Sequence, residues 1–288
     1  MAGDQFDEIT IMPLHTFASA RLTLAKRLSG FLDEAEANAE SWRWFDEGFG
    51  WGRARMYAHG EELITADIEN QLEAWFKRRS EGEPWAYILG WAMWRNRRFR
   101  VSPATLIPRP ETEIVFESAL QLAERLGVGR VVDVGTGTGI LGISFALESR
   151  LEVTATDISD DALNIARKNA RDHGADIDWA FGDLLEPVSG PIELVVSNPP
   201  YVALEDEATL QREIFYEPRM ALFAADHGMN VIKRLLKQGI DKKARGLVIE
   251  IGSGQGDELK TMATEMGWQS VEIKKDIAGH DRVLSVHG

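Results

Sequence analysis

An α/β fold preceded by a small helical bundle is what this sequence predicts, on three observations. From residue 111 onward short β-branched runs alternate with helical patterns, before residue 80 the apolar spacing is helical, and a short β-like stretch rich in arginine and proline separates the two textures. Alternating strands and helices mean βαβ units, and hence a mostly parallel sheet with helices on both faces.

The chain has 288 residues, 44% hydrophobic and 27% charged, enough to bury one large core or two unequal ones. Its longest uncharged stretch, Val134–Leu147, is full of glycine, and a membrane-spanning helix needs roughly 20 mainly apolar residues. The first ten residues carry Asp4, Asp7 and Glu8 and lack a basic segment followed by an apolar one, which argues against a secretory signal. There is no cysteine, so a thiol nucleophile, a disulfide framework and a cysteine metal site are excluded, and a reducing, cytoplasmic home fits. A net charge of -14 argues against non-specific binding to a nucleic-acid backbone. The six histidines (15, 59, 173, 227, 280 and 287) are scattered without ligand spacing, so no metal is expected.

Leu14, Phe17, Ala18, Leu22, Ala25 and Leu28 mark one helical face, and Ile64, Ile68, Leu72, Trp75 and Phe76 another. Gly30, the Gly48–Gly52 region and Gly60 punctuate them, and Trp42, Trp44, Trp51 and Trp75 are expected as core packing for a bundle over residues 1–82. Residues 83–108 read as a hairpin linker, with β-like runs at Ala86–Trp91 and Arg98–Val101 around a polar turn at Asn96. The stretch 84–109 holds five arginines and no acid: Arg95, Arg97, Arg98, Arg100 and Arg109. It serves either to pair with the acidic blocks on both sides or to dock a partner. In residues 109–288 the strands are Val131–Val134, Glu152–Thr156, Leu194–Ser197 and Leu247–Ile251, and helices are expected over 111–126, 140–148, 160–173 and 228–240.

Two loops carry the chemistry. Asp133-Val-Gly-Thr-Gly-Thr-Gly139 follows a strand and enters a helix, and Gly135, Gly137 and Gly139 let the backbone turn tightly and approach a ligand, with Thr136 and Thr138 between them. Asp157 closes the next strand, where a carboxylate can take both hydroxyls of a ribose. This loop suits a nicotinamide dinucleotide or S-adenosylmethionine equally. A similar spelling, Glu250-Ile-Gly-Ser-Gly-Gln-Gly256, has too little chain after it for a second site and reads as a tight strand-to-helix turn.

The second loop, Asn198-Pro199-Pro200-Tyr201, follows a buried strand. Two prolines remove two backbone donors and stiffen the chain with its carbonyls free. Asn198 and the Pro199 carbonyl offer acceptors and Tyr201 an aromatic wall, a site for a planar group bearing two N–H donors, either a primary amide or the exocyclic amine of adenine. Hydride transfer has no use for it, so the loop favours methyl transfer.

The sequence resembles the peptide-chain release factor glutamine methyltransferases, the HemK/PrmC family, over nearly its whole length. The resemblance rests on Leu106-Ile-Pro-Arg-Pro-Glu-Thr-Glu113, Asp133–Gly139, Asp157, Asn198–Tyr201, Glu217-Pro218 with Ala221-Leu222, and Gly279-His-Asp-Arg-Val283. It implies a Rossmann-like class I methyltransferase domain behind a helical bundle and a β-hairpin. It also implies S-adenosylmethionine as cofactor, with S-adenosylhomocysteine as product, and methylation of the glutamine amide in the Gly-Gly-Gln motif of class I release factors. Asp183 and Leu184 then join Asn198 and the glycine loop around the cofactor, Leu184 standing where many relatives have an aromatic beside the adenine. Ala224-Ala225-Asp226-His227-Gly228-Met229 replaces the paired glycines and Asp-Gly-Leu common in the family. Arg109 and Glu111 are expected at the pocket edge or, equally, as a helix start. A ribosomal-protein glutamine methyltransferase and a DNA adenine-N6 methyltransferase are the alternatives; the second would be expected to carry a basic binding surface. The bundle and the basic hairpin are expected to grip the release factor away from its glutamine loop.

Overall fold

A computed structural model describes residues 16–288, in two compact units that divide after Leu89. Leu14 of the expected first helical face lies outside the described residues.

The first unit is helical: α1 (Phe17–Leu28), α2 (Glu34–Arg43) running into a π-helical turn at Trp44–Gly48, α3 (Arg53–His59), α4 (Ala66–Ser80) and α5 (Trp85–Leu89). Thr16, Asp33 and Thr65 cap α1, α2 and α4 through their side-chain oxygens, satisfying donors that a helix start leaves orphaned. Trp44 is fully buried, stacked on Trp85 at 4.6 Å with Trp75 edge-on. The inner face of α1 keeps Phe17 and Leu28 of the expected one but is otherwise different. Ala20, Arg21 and Leu24 face inward, and Leu22 is 60% exposed. Arg21 can occupy that face because its guanidinium donates to Asn38 Oδ1 at 2.8 Å and Ser41 Oγ at 3.0 Å and lies over the Trp42 ring. The β-like reading of Ala86–Leu89 is likewise corrected. The Pro84 carbonyl accepts from Tyr87 N and Ile88 N, starting the turn of α5, and Gly90, with φ +83°, ends it.

The second unit begins with a hairpin, β1 (Trp91–Trp94) and β2 (Arg97–Arg100), turned by Arg95 and Asn96, both at positive φ as a type I′ turn requires. There follow α6 (Thr112–Leu126), β3 (Arg130–Val134), α7 (Ile140–Glu148), β4 (Glu152–Asp157), α8 (Asp160–His173), β5 (Asp178–Phe181) and β6 (Leu194–Ser197). The chain then makes the short strands β7 (Val202–Ala203) and β8 (Phe223–Ala224) around two 3₁₀ turns and α9 (Arg219–Leu222). It ends with α10 (Asn230–Asp241), β9 (Gly246–Glu250), α11 (Gly256–Glu265), β10 (Ser270–Lys275) and β11 (Asp281–His287). The seven-stranded sheet has the order β10-β11-β9-β6-β3-β4-β5, with β3, β4, β5, β6 and β9 parallel and β11 antiparallel to both neighbours. Both faces are covered, which is why Val131–Val132 of β3 and Leu194–Val196 of β6 are adjacent apolar residues: Val131, Leu194 and Val196 pack under α6 and α7, and Val132 and Val195 under α10.

The arginine-rich hairpin packs on this unit, and its four arginines and the following Arg109 each have a partner there. Arg95 pairs with Glu113 and Glu148, Arg97 with Glu148, Arg100 with Asp172 and Arg109 with Glu217, while Arg98 lies over Trp91. Trp94 Nε1 donates to Ser144 Oγ at 3.0 Å. Buried Asn169 of α8 accepts from Arg100 N at 2.8 Å and donates to Arg100 O and Thr138 O at 3.1 and 2.8 Å, tying hairpin, helix and glycine loop together. Asn169→Ala orphans all three groups and should lower stability by about 2 kcal/mol, measured by urea unfolding; an unchanged midpoint would show that water replaces the side chain.

Candidate active site

The chain runs β3, β4, β5 to one side and returns to β6 on the other side of β3, so the carboxyl ends of β3 and β6 flank a topological switch point where a crevice opens. A cleft of about 260 Å³ sits there.

The glycine loop forms its floor. Gly135 N and Thr136 N donate to the Thr156 carbonyl at the end of β4. Asp133 is buried, and its Oδ2 accepts from Thr136 Oγ1 at 2.6 Å and Gly142 N at 2.9 Å. Burial pushes its carboxyl up to about 6 against those two hydrogen bonds. Asp157 accepts from Gly137 N and Ser159 N, each at 2.9 Å, and burial raises its pKa as well. Gly135, Thr136, Gly137 and Thr138 line the cleft. Gly139 does not: a Cβ there would fall 2.9 Å from Ile143 and 3.3 Å from Ala166, so this glycine lets α7 approach α8.

Asp183 and Leu184 form one wall. Asp183 pairs with Arg234, and Leu184, at φ +49°, gives its carbonyl to Thr156 Oγ1 at 3.0 Å.

The opposite wall is Asn198, Pro199 and Pro200. Ser197 Oγ donates to the Val134 carbonyl at 2.7 Å, fastening this loop to the glycine loop's strand. Asn198 Nδ2 donates to Thr112 Oγ1 at 3.0 Å, which leaves Oδ1 as the acceptor for the cleft. Tyr201, expected as an aromatic wall, lies outside the lining: its hydroxyl donates to Glu250 Oε1 at 3.1 Å, and its carbonyl accepts from Gln255 Nε2 at 3.1 Å. Arg109 edges the cleft and Glu111 does not. Buried Glu217 accepts from Ile107 N at 2.8 Å and pairs with Arg109, so Leu106–Glu113 and Glu217-Pro218 meet in space. Thr112 lay in the Leu106–Glu113 motif and Glu250 and Gln255 in the stretch read as a strand-to-helix turn, but nothing in either pointed to Asn198–Tyr201; tertiary folding brings them under the loop.

Residues 20–90 match the family described as the PrmC N-terminal domain, and residues 115–237 the methyltransferase small domain. The chain is 40% identical to the release factor glutamine methyltransferase of Neisseria gonorrhoeae over 80% of this chain and 86% of that protein. It is 35% identical to the one from Deinococcus radiodurans over 94% and 96% of the two chains. Among solved structures it is similar to the hMettl16 catalytic domain in complex with a 3′UTR hairpin, at TM-score 0.56 and 18% identity over 75% and 79% of the chains. A human methyltransferase 10 domain containing protein gives 0.50 and 16% over 78% and 99%. Both structural likenesses concern the fold, that of a class I methyltransferase.

Proposed function

We propose that this chain, which belongs to the release factor glutamine methyltransferase family, methylates the side-chain amide nitrogen of the Gly-Gly-Gln glutamine in class I release factors, in the cytoplasm, as part of translation termination. One observation carries the reading: Asn198, turned by Thr112, presents its carbonyl oxygen to the cleft beside the glycine loop.

S-adenosylmethionine, when bound, supplies a methyl group on a positively charged sulfur. The cleft fits such a group. A Cβ at Gly135 would meet nothing within 4 Å, so the loop faces open space, and Asp157 stands at the end of β4 with its carboxylate steadied by two backbone donors. Asp157 would take the ribose hydroxyls, Gly135–Thr138 the amino-acid end, and Asp183 and Leu184 the adenine side. Leu184 supplies an apolar surface without aromatic stacking.

An amide nitrogen is a poor nucleophile because its lone pair is delocalised. Asn198 Oδ1 and the Pro199 carbonyl accept its two N–H groups, orient it in line with the methyl carbon and stabilise positive charge developing on nitrogen. Pro200 stiffens the loop and Tyr201 anchors it from below. With the methyl on nitrogen, the Asn198 and Pro199 acceptors would hold the product amide while its excess proton passes to water. The helical unit is assigned the grip on the release factor.

The test is transfer of labelled methyl from S-adenosylmethionine to a purified class I release factor, beside the factor with its motif glutamine replaced by alanine and an adenine-containing DNA duplex. Label on the intact factor alone is expected. Label on DNA, or none on the factor, would overturn the substrate. Deleting residues 1–82 should slow transfer to the full-length factor; an unchanged rate would remove the docking role.

A further inference from the structure

Glu250 ends β9 beneath the reactive loop, fully buried, in the turn that the sequence marked only as a strand-to-helix connection. Its Oε1 accepts from Tyr201 Oη at 3.1 Å, and its Oε2 has no hydrogen-bond partner among the described residues. Nothing in the reading above uses it, yet a buried carboxyl is costly to keep.

Its neighbours show what it does. Thr112 is also fully buried, and its oxygen accepts from Asn198 Nδ2. A hydroxyl that accepts there has its own proton to place, and Thr112 stands close enough to the Glu250 carboxyl to favour its charged form. The Thr112 and Tyr201 hydroxyls thus both face Glu250, Tyr201 as a hydrogen-bond donor and Thr112 as a neighbour that favours the carboxylate. Tyr201 is tied to it directly, and Thr112, which holds Asn198 at the other end of the loop, stands beside it.

We propose that Glu250 is a positioning residue for methyl transfer: as a carboxylate it draws the Thr112 and Tyr201 hydroxyl protons, and so holds Asn198 with its carbonyl oxygen toward the substrate amide. A glutamine at 250 would offer Thr112 an N–H instead, the Thr112 proton would be free to turn to Asn198, and the Asn198 amide could then reverse.

The groups facing Glu250 set when it is charged. Burial pushes its carboxyl up to about 6, and Glu111 pushes the same way; Thr112, Tyr201 and the Arg282 guanidinium of β11 oppose them. Tyr201 in turn faces Arg109 and Arg282, and burial beside Glu250 raises its pKa, so its hydroxyl keeps its proton. The carboxylate form therefore prevails above pH 6 and is lost below it.

The proposal rests on Asn198 being the amide acceptor. Its test uses the full-length chain with S-adenosylmethionine and a release factor, comparing Glu250→Gln, Thr112→Val and Asn198→Ala. Glu250→Gln should lower kcat about 10- to 100-fold while leaving cofactor Kd and release-factor KM within about twofold, since Glu250 touches neither site. Wild-type kcat should rise with pH through about 6, and the variant should lack that limb. Thr112→Val, which keeps the side-chain shape, should lose rate in the same way and reports independently if the glutamine variant misfolds. Wild-type kcat and an unshifted limb in Glu250→Gln would overturn the proposal, as would a loss of cofactor affinity matching the loss of rate. Full activity in Asn198→Ala would instead overturn the reading on which it rests.

Discussion

Asn198→Ala should lower kcat for release-factor methylation by about 10²–10³-fold, on the order of 3–4 kcal/mol of transition-state stabilisation. Asn198 Oδ1 faces the cleft because Nδ2 is committed to Thr112. Truncation removes the acceptor that orients the amide, while the glycine loop and Asp157 stay in place, so cofactor affinity should change by no more than a few-fold. The loss belongs in kcat because developing charge on nitrogen exists only in the transition state. Asn198→Asp separates two parts of the argument. It keeps an acceptor but loses the donor to Thr112, so it should fall between wild type and alanine. Initial rates with labelled cofactor measure all three; an alanine variant within tenfold of wild type would remove Asn198 from the chemistry.

Gly228→Ala should be nearly as damaging from a distance. Gly228 has φ +82°, and a Cβ there would lie 2.0 Å from the Tyr201 carbonyl oxygen and 2.7 Å from its carbon. That carbonyl cannot simply move aside, because Gln255 Nε2 holds it at 3.1 Å and reaches the His227 carbonyl at 3.0 Å. Relief must come from moving Asn198–Tyr201 or unwinding the turn. Left-handed strain and overpacking together should cost about 2–4 kcal/mol, a melting shift on the order of 10 °C for a unit of this size. Methyl transfer should fall by about 10²-fold at temperatures where the variant is folded. A melting temperature and rate equal to wild type would show that the turn relaxes freely. The turn is already strained, since Asp226 and His227 also have positive φ, at 58° and 52°.

The legibility of this fold in its sequence followed burial. β3, β4, β6 and β9 lie inside a covered sheet, so their β-branched runs could be read directly. Edge strand β5, spelled Asp178-Trp-Ala-Phe181, has no such run, and β10 alternates polar residues on an exposed edge; with the buried β11 they went unread, and α11 was read only as the helix that the turn at Glu250–Gly256 enters. On α1 the spacing misled because leucine at 22 is tolerated outside while Arg21 is satisfied inside. Trp85–Leu89 contains β-formers, but Pro84 before it and Gly90 after it were the signals that counted. At the site, the residues contiguous with a ligand loop were legible as motifs. Tyr201 belonged to such a motif, yet the direction of its side chain is set by Glu250 across a strand pairing. Thr112 and Glu250 are separated from Asn198 by 86 and 52 residues of chain, and no local pattern marks a contact made by tertiary folding.

The internal pairing of the hairpin arginines bears on how partners arrive. Except for Arg98, which lies over Trp91, their charges are matched within a few ångströms by Glu113, Glu148, Asp172 and Glu217, so beyond a Debye length of about 8 Å at physiological salt these pairs contribute little field of their own. What diffusing molecules meet is the surplus behind the net charge of -14. Encounter with a cationic protein surface is then accelerated and slows as salt is added, whereas encounter with a polyanion is retarded and quickens with salt. The chain sorts its partners by approach velocity before any of them reaches the cleft.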